Sequence, residues 1–247
     1  MLTMYQEFIS KTNKALLIIE QKLGVYLSAL FIAFVLLFIA AIYVTPALSA
    51  IGHQGAEYAQ LSISPFNFSV ESNLRCRILT PLLAYSLGFR GPLYIIFPLI
   101  VSLLFLSVIF YYLRKTRTTL ESLFITMLIC FSTPILFLLH YAGYTDITSY
   151  LLILLTIIYI RKPILCMIFL SLLFLNHESN LFILPALLYF YYINNEGKKT
   201  NLYLGYLGMI LSLFPIYFYR RYIFEVAPFE YTFKHSIGII LKRISVL

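Results

Sequence analysis

The sequence predicts an all-α polytopic membrane protein, with about seven transmembrane helices and a large first extracytoplasmic loop. Three observations predict it. Hydrophobic residues make up 61% of the 247 and charged residues only 11%, and the mean hydropathy is +0.90, outside the range of a soluble domain. Apolar runs recur along the chain, and basic clusters close them at alternating ends, as the positive-inside rule requires. One connection, residues 45–90, is too long to be a simple link between two spans, and such loops usually carry function. In this setting the net charge of +8 reads as topology signal and contact with anionic lipid, and it argues against a nucleic-acid surface. Three cysteines, Cys76, Cys130 and Cys166, have neither a disulfide nor a metal spacing.

Residues 1–22 are mixed polar, and Lys11, Lys14 and Lys22 hold the N-terminus in the cytoplasm. The apolar run 24–44 is too long for a cleaved signal peptide and is retained as the first helix, ended by Pro46. Within the outer loop, Thr80 as cap, Pro81 at the first helical position and Gly88 beyond the end predict a short helix over 81–87. The second span, 92–113, returns to Arg114, Lys115 and Arg117. The third, 120–139, leads outward with a kink at Pro134. Residues 147–160 come back to Arg161 and Lys162.

Two very short runs follow, 164–175 and 181–193, about 18–20 Å each as helix against a hydrocarbon core of about 30 Å. With basic pairs at both outer ends, Arg161-Lys162 and Lys198-Lys199, their turn stays below the far surface and carries His177 and Glu178 to a level inside the membrane. The last helix, 202–219, leads out. The transmembrane region thus covers 23–223, and 224–247 forms an extracytoplasmic tail. There the stretch 237–241 looks like an interfacial helix that stops early, so the chain reads as a fragment or trimmed relative of something longer.

Nearly all the unusual polar residues converge on the outer half. Glu57, in the outer loop, is placed to accept a proton from a hydroxyl, although a lone exposed loop acid is the commoner case. Arg75 and Arg77 precede a helix N-terminus, which suits a phosphate at the membrane face or, equally, lipid headgroups reached by snorkelling. Asp146, the chain's only aspartate, either caps its own helix or serves a site, and both roles are compatible. His177 and Glu178 either bond neighbouring helices or take part in chemistry. A zinc-protease motif would need a second histidine that is missing here. Asn67-Phe68-Ser69 fits a glycosylation acceptor, and Arg220 and Arg221 meet either an anion or lipid phosphates.

The layout resembles the N-terminal half of GT-C-fold membrane glycosyltransferases and their bacterial relatives. The likeness rests on Glu57-Tyr58 early in the first outer loop and on residues 77–84, which read RILTPLLA. It continues in the helix start Gly143-Tyr144-Thr145-Asp146, and in a short hairpin where His177-Glu178 runs into residues 181–185, LFILP. It extends over roughly residues 20–225 in layout, and its motifs are loose. The resemblance implies transfer of a sugar from a polyprenyl-phosphate carrier to an acceptor outside the membrane, with Glu57 as base. Family members commonly carry Asp at that position, more helices and often a soluble C-terminal domain.

On this reading Arg75 and Arg77 hold the phosphate. His53, Tyr58, His140, Tyr144, Asp146, His177 and Glu178 contact sugar or acceptor. No cofactor is named, and a divalent cation is left open. The expected partners are a polyprenyl-phosphate-linked sugar, membrane lipids and a membrane protein partner. The expected location is the bacterial inner membrane with the N-terminus cytoplasmic. The competing readings are a small multipass transporter or flippase subunit, which lacks the expected inverted repeat, and a non-catalytic membrane scaffold.

Overall fold

A computed structural model describes residues 2–44, 54–66, 72–141, 143–195 and 199–226, and for a few of these, Glu178 among them, the backbone alone. All regular structure among the described residues is helical. The helices are α1 (Leu2–Val44), α2 (Gln54–Ile63), α3 (Ser72–Arg75), α4 (Leu79–Ser86), α5 (Ile96–Leu113) and α6 (Thr119–Cys130). They continue with α7 (Thr133–His140), α8 (Asp146–Ile158), α9 (Pro163–Asn176), α10 (Leu184–Asn194), α11 (Lys199–Leu211) and α12 (Phe214–Val226). Short 3-10 turns, Gly91–Ile95 and Glu178–Ile183, lead into α5 and α10.

Among the described residues, three helical stretches are long and apolar enough to cross a membrane: Ile9–Val44, Gly91–Leu113 and Leu202–Tyr222. The pair α6 and α7, bent by 56°, makes a fourth if it counts as one span. The chain is a membrane protein on this evidence, with three or four candidate spans where the sequence suggested about seven. Helices α8 and α9, with 13 and 14 residues, fall short of a bilayer on their own.

Each break has a local cause. In α1 the helix runs on from residue 2, but Gly24 sits at φ 74°, a conformation that glycine alone adopts without strain, and kinks it where the apolar run begins. Ser28 donates to the Gly24 carbonyl at 2.7 Å and so satisfies an acceptor that the kink exposes. Between α6 and α7 the break falls at Phe131 and Ser132. Pro134 lies in the first turn of α7, where its missing amide costs nothing. Helix α6 opens with a capping box: Thr118 Oγ1 accepts from the Glu121 amide and Glu121 accepts from the Thr118 amide.

Two apolar cores follow the chain order. The first joins α1 to α5, α6 and α7 around Ala33, Ala40, Leu106 and Phe110, all at most 1% exposed. The second packs α9 against α4, α11 and α12, with α10 joined to it through α11, around Leu170, Leu173, Phe174 and Tyr191. Helix α8 lies between them, supplying Ile147 to the first and Leu152 to the second. Arg114 grips Glu20 with two guanidinium nitrogens, Nε at 3.2 Å and Nη2 at 3.0 Å, and Thr119 adds a third donor at 3.1 Å. This fastens the first arm of α1 to the α5–α6 turn with a bidentate pair, a geometry that also fixes orientation.

The described part of the segment expected as a loop between the first two spans is largely helical. It packs α2 on α4 and on the 3-10 turn before α5. Ser62 accepts from the Gly91 amide at 2.9 Å, and Gly91 adopts φ 56° with the Ile63 side chain pressed against it. In the expected helix over 81–87 the boundaries shift: α4 starts at Leu79, and its N-cap position, Ile78, makes no side-chain cap bond. Thr80 is therefore no cap. It lies fully buried in the first turn, with its hydroxyl committed elsewhere. Gly88 does follow the helix end, at φ 85°.

Candidate functional site

At the end of the molecule where α5 begins, polar side chains from four segments meet. Helix α2 brings Gln54 and Tyr58, and carries Glu57 between them in its first turn. The link from α3 to α4 brings Arg77, and the turn into α8 brings Tyr144, Thr145 and Asp146. Tyr94 comes from the 3-10 turn before α5. Arg77 is the hub: its Nη1 donates to Tyr58 Oη at 3.1 Å and to Gln54 Oε1 at 3.3 Å. Its Nε is buried and has no hydrogen-bond partner among the described residues. The α8 turn is held against α2 by two glycines, because a Cβ on Gly143 would stand 2.9 Å from the Gly55 Cα.

Electrostatics links these groups. Burial pushes the Tyr58 phenol above its ordinary value. The charge and hydrogen bond of Arg77 pull it back, and Asp146 adds to the rise. The Tyr144 phenol is raised too, by burial first, then by Asp146 and Tyr141, while the Gln54 amide and Arg77 oppose. Tyr94, with no exposed surface, has a hydroxyl that no described residue reaches. It lies within electrostatic range of Tyr58 and Asp146. Glu57 occupies the first turn of α2, half-buried, where the helix N-terminus favours a carboxylate.

Asp146 is the first residue of α8, and the N-cap position is Thr145, in a helical conformation without a side-chain cap bond. The capping role expected for Asp146 is not the one it has here. Next to it, aromatic rings gather: Phe137 lies 4.8 Å from Tyr141 and 5.8 Å from Tyr144, centroid to centroid. His140 is exposed and meets Tyr141 edge-on at 4.6 Å. Arg75 is buried, and its carbonyl accepts from Tyr219 of α12 at 2.8 Å, which ties the last helix to this end of the chain.

The expected residues thus divide. Tyr58, Arg77, Tyr144 and Asp146 come together, and Glu57 lies next to Tyr58 in the first turn of α2. His177 serves its own turn, its Nδ1 taking a hydrogen bond from the Ser179 amide at 3.2 Å and contacting the Ser179 hydroxyl at 2.7 Å. His53, the triplet Asn67-Phe68-Ser69, the Glu178 side chain and the tail 227–247 lie outside the described residues.

Sequence reasoning missed the neighbours of the histidine. Asn176 and Asn180 anchor a neutral network on the other side of the α8 start. Asn176 Oδ1 accepts from Thr80 at 2.5 Å, and its Nδ2 donates to the Thr145 carbonyl at 2.9 Å and Ser149 Oγ at 2.8 Å. Asn180 donates to the same Ser149 hydroxyl at 2.9 Å and to the Leu173 carbonyl at 3.0 Å. Thr80 and Thr148 hydroxyls are 2.9 Å apart. Since Thr80 has one proton and the amide oxygen can only accept, Thr148 is the donor between the two. The signal was present: Cys166, Leu170, Leu173 and Asn176 share one helical face at steps of four and three, and all four are buried.

No group of three or more His, Cys, Asp or Glu that could hold a metal ion occurs among the described residues. Compared with known proteins, the chain matches no family model, no curated protein and no solved structure.

Proposed function

We propose that the protein is a membrane glycosyltransferase of GT-C type, moving a sugar from a polyprenyl-phosphate donor to a hydroxyl acceptor at the extracytoplasmic face. The observation that carries this reading is the convergence of Tyr58, Arg77, Tyr144 and Asp146 at one end of α5, with Glu57 beside Tyr58 on the same short helix. A half-buried acid, a guanidinium with an uncommitted Nε and a fringe of aromatic rings are the groups such a transfer needs. Glu57 takes the proton from the acceptor hydroxyl as that oxygen attacks the anomeric carbon. The bond from that carbon to the phosphate oxygen breaks, and polyprenyl phosphate leaves with the electron pair and with inversion at carbon. Arg77, with Arg75 beside it in sequence, stabilises the phosphate charge. Asp146 and Tyr144 hydrogen-bond the sugar, whose C–H face stacks on Tyr141 or Phe137.

The test is transfer from a panel of polyprenyl-phosphate sugars by protein in proteoliposomes. Glu57→Gln removes the base while keeping the shape, so transfer should fall by about two orders of magnitude or more, with thermal stability retained. Unchanged turnover in Glu57→Gln would remove the acid from the base role. Absence of transfer in the wild type from every donor would overturn the reading.

A further inference from the structure

A groove at the opposite end of α5 is independent of that site. It has a volume of about 300 Å³ and lies between α1, α5 and α8, walled by Leu30, Leu104, Val108 and Leu155. Tyr26, Tyr111 and Lys115 stand at its rim. From Tyr94 to Lys115 the helical chain rises roughly 30 Å, the thickness of a hydrocarbon core. The groove and the Arg77 cluster therefore open at opposite levels of a bilayer.

The rim has the chemistry of a membrane interface. Tyr26 and Tyr111 stack at 4.6 Å and their hydroxyls bond at 2.9 Å. The Lys115 ammonium lies over the rings of Tyr111 at 4.7 Å and Tyr112 at 5.5 Å, and Lys162 lies over Tyr159 at 5.6 Å. Arg114 is consumed by Glu20, but Lys115 and Lys162 are exposed. The result is an apolar slot under a positive, aromatic rim. Aromatic rings and lysines at this level are where lipid headgroups sit.

We propose that the groove binds one anionic glycerophospholipid, an acyl segment lying between α1, α5 and α8 and the phosphate at the Lys115 ammonium. Charge selects the occupant: a zwitterionic lipid fills the slot equally well but gains less at the rim. The volume, at the small end of the range for ligand clefts, fits part of one chain.

The test uses the full chain in detergent micelles, titrated with dioleoyl phosphatidylglycerol or dioleoyl phosphatidylcholine while the melting temperature is followed. Phosphatidylglycerol should reach half its effect at a concentration about fivefold lower, the preference expected of one lysine at the surface. Lys115→Gln should abolish that preference. Leu104→Trp, at a lipid-facing position 43% exposed, should fill the slot and remove the effect of both lipids. Arg117→Gln, a cation in the same loop that does not line the groove, should leave the preference intact. Equal response to the two lipids in the wild type would overturn the proposal, as would loss of preference in Arg117→Gln as large as in Lys115→Gln. Persistence of the effect in Leu104→Trp would move the lipid out of the groove. None of these positions belongs to the Arg77 cluster, so glycosyl transfer stands or falls separately.

Discussion

Two polar clusters share the first turn of α8 and differ in kind. On one side, Thr80, Thr148, Ser149, Asn176 and Asn180 form a neutral network whose central amide uses both its N–H donors and its oxygen. On the other side, Arg77, Tyr58 and Asp146 form a charged one, where the Arg77 Nε and the Tyr94 hydroxyl remain open among the described residues. A closed neutral network in an apolar interior fixes register between helices, because each broken bond strands its partner away from water. Open donors beside ionisable groups do the reverse: they cost stability and are kept where a ligand completes them. The neutral cluster is then the frame, and the charged one is what the frame presents.

The difference can be broken from the frame side first. Asn176→Leu keeps volume but removes three hydrogen bonds at once, the acceptor of the Thr80 proton and one donor each to the Thr145 carbonyl and Ser149 Oγ, so it should cost about 2–4 kcal/mol. Reversible unfolding in mixed micelles measures this, and a cost below that of an exposed substitution would demote the network. Gly143→Ala comes next. Its Cβ meets the Gly55 backbone at 2.9 Å, so α2 must shift away from the α8 turn, at about 1–3 kcal/mol. On the proposed function, transfer should fall as well, because the shift moves α2, with Glu57 and Tyr58, away from Asp146. Thr80→Val loses two bonds of the network, leaving Asn176 Oδ1 short of a donor and the Thr148 hydroxyl short of an acceptor, for about 1–2 kcal/mol, with no direct effect on the charged cluster.

Much of the frame's outline was legible. Proline and glycine punctuate a helical chain, so the span over 92–113 appears as Gly91–Leu113, Gly88 ends α4, and a break occurs close to Pro134. Span number was less legible, because an apolar run of 13 or 14 residues such as α8 or α9 fits equally a short span and a buried interior helix. The hairpin turn shows why site residues are harder. Ionisable residues draw attention at membrane depth, and so His177 was singled out. Yet the helical period turns Asn176 inward with Leu173 and leaves His177 to bond Ser179. The charged cluster was partly readable, since Arg77 and Asp146 are charged residues in an apolar chain. Tyr94 was not, because one tyrosine among 21 carries no mark of its burial until the 3-10 turn before α5 is folded.

The smallest effect sharpens the boundary between the clusters. Tyr58→Phe removes one acceptor of Arg77 and no part of the neutral network, so near neutral pH it should cost about 1 kcal/mol. Its signature lies at alkaline pH. The folded-state phenol is raised above the unfolded value of about 10, chiefly by burial. Between those two values the native protein keeps a proton that the unfolded chain has released, so stability must fall as pH rises past about 10. Other tyrosines titrate in the same range, and the difference between wild type and Tyr58→Phe isolates this one. The two unfolding curves should converge above pH 10, as the wild type loses what the phenylalanine variant never had. Parallel curves throughout would mean that Tyr58 ionises as freely in the folded protein as in the unfolded one, and that the charged cluster is open to water at its base.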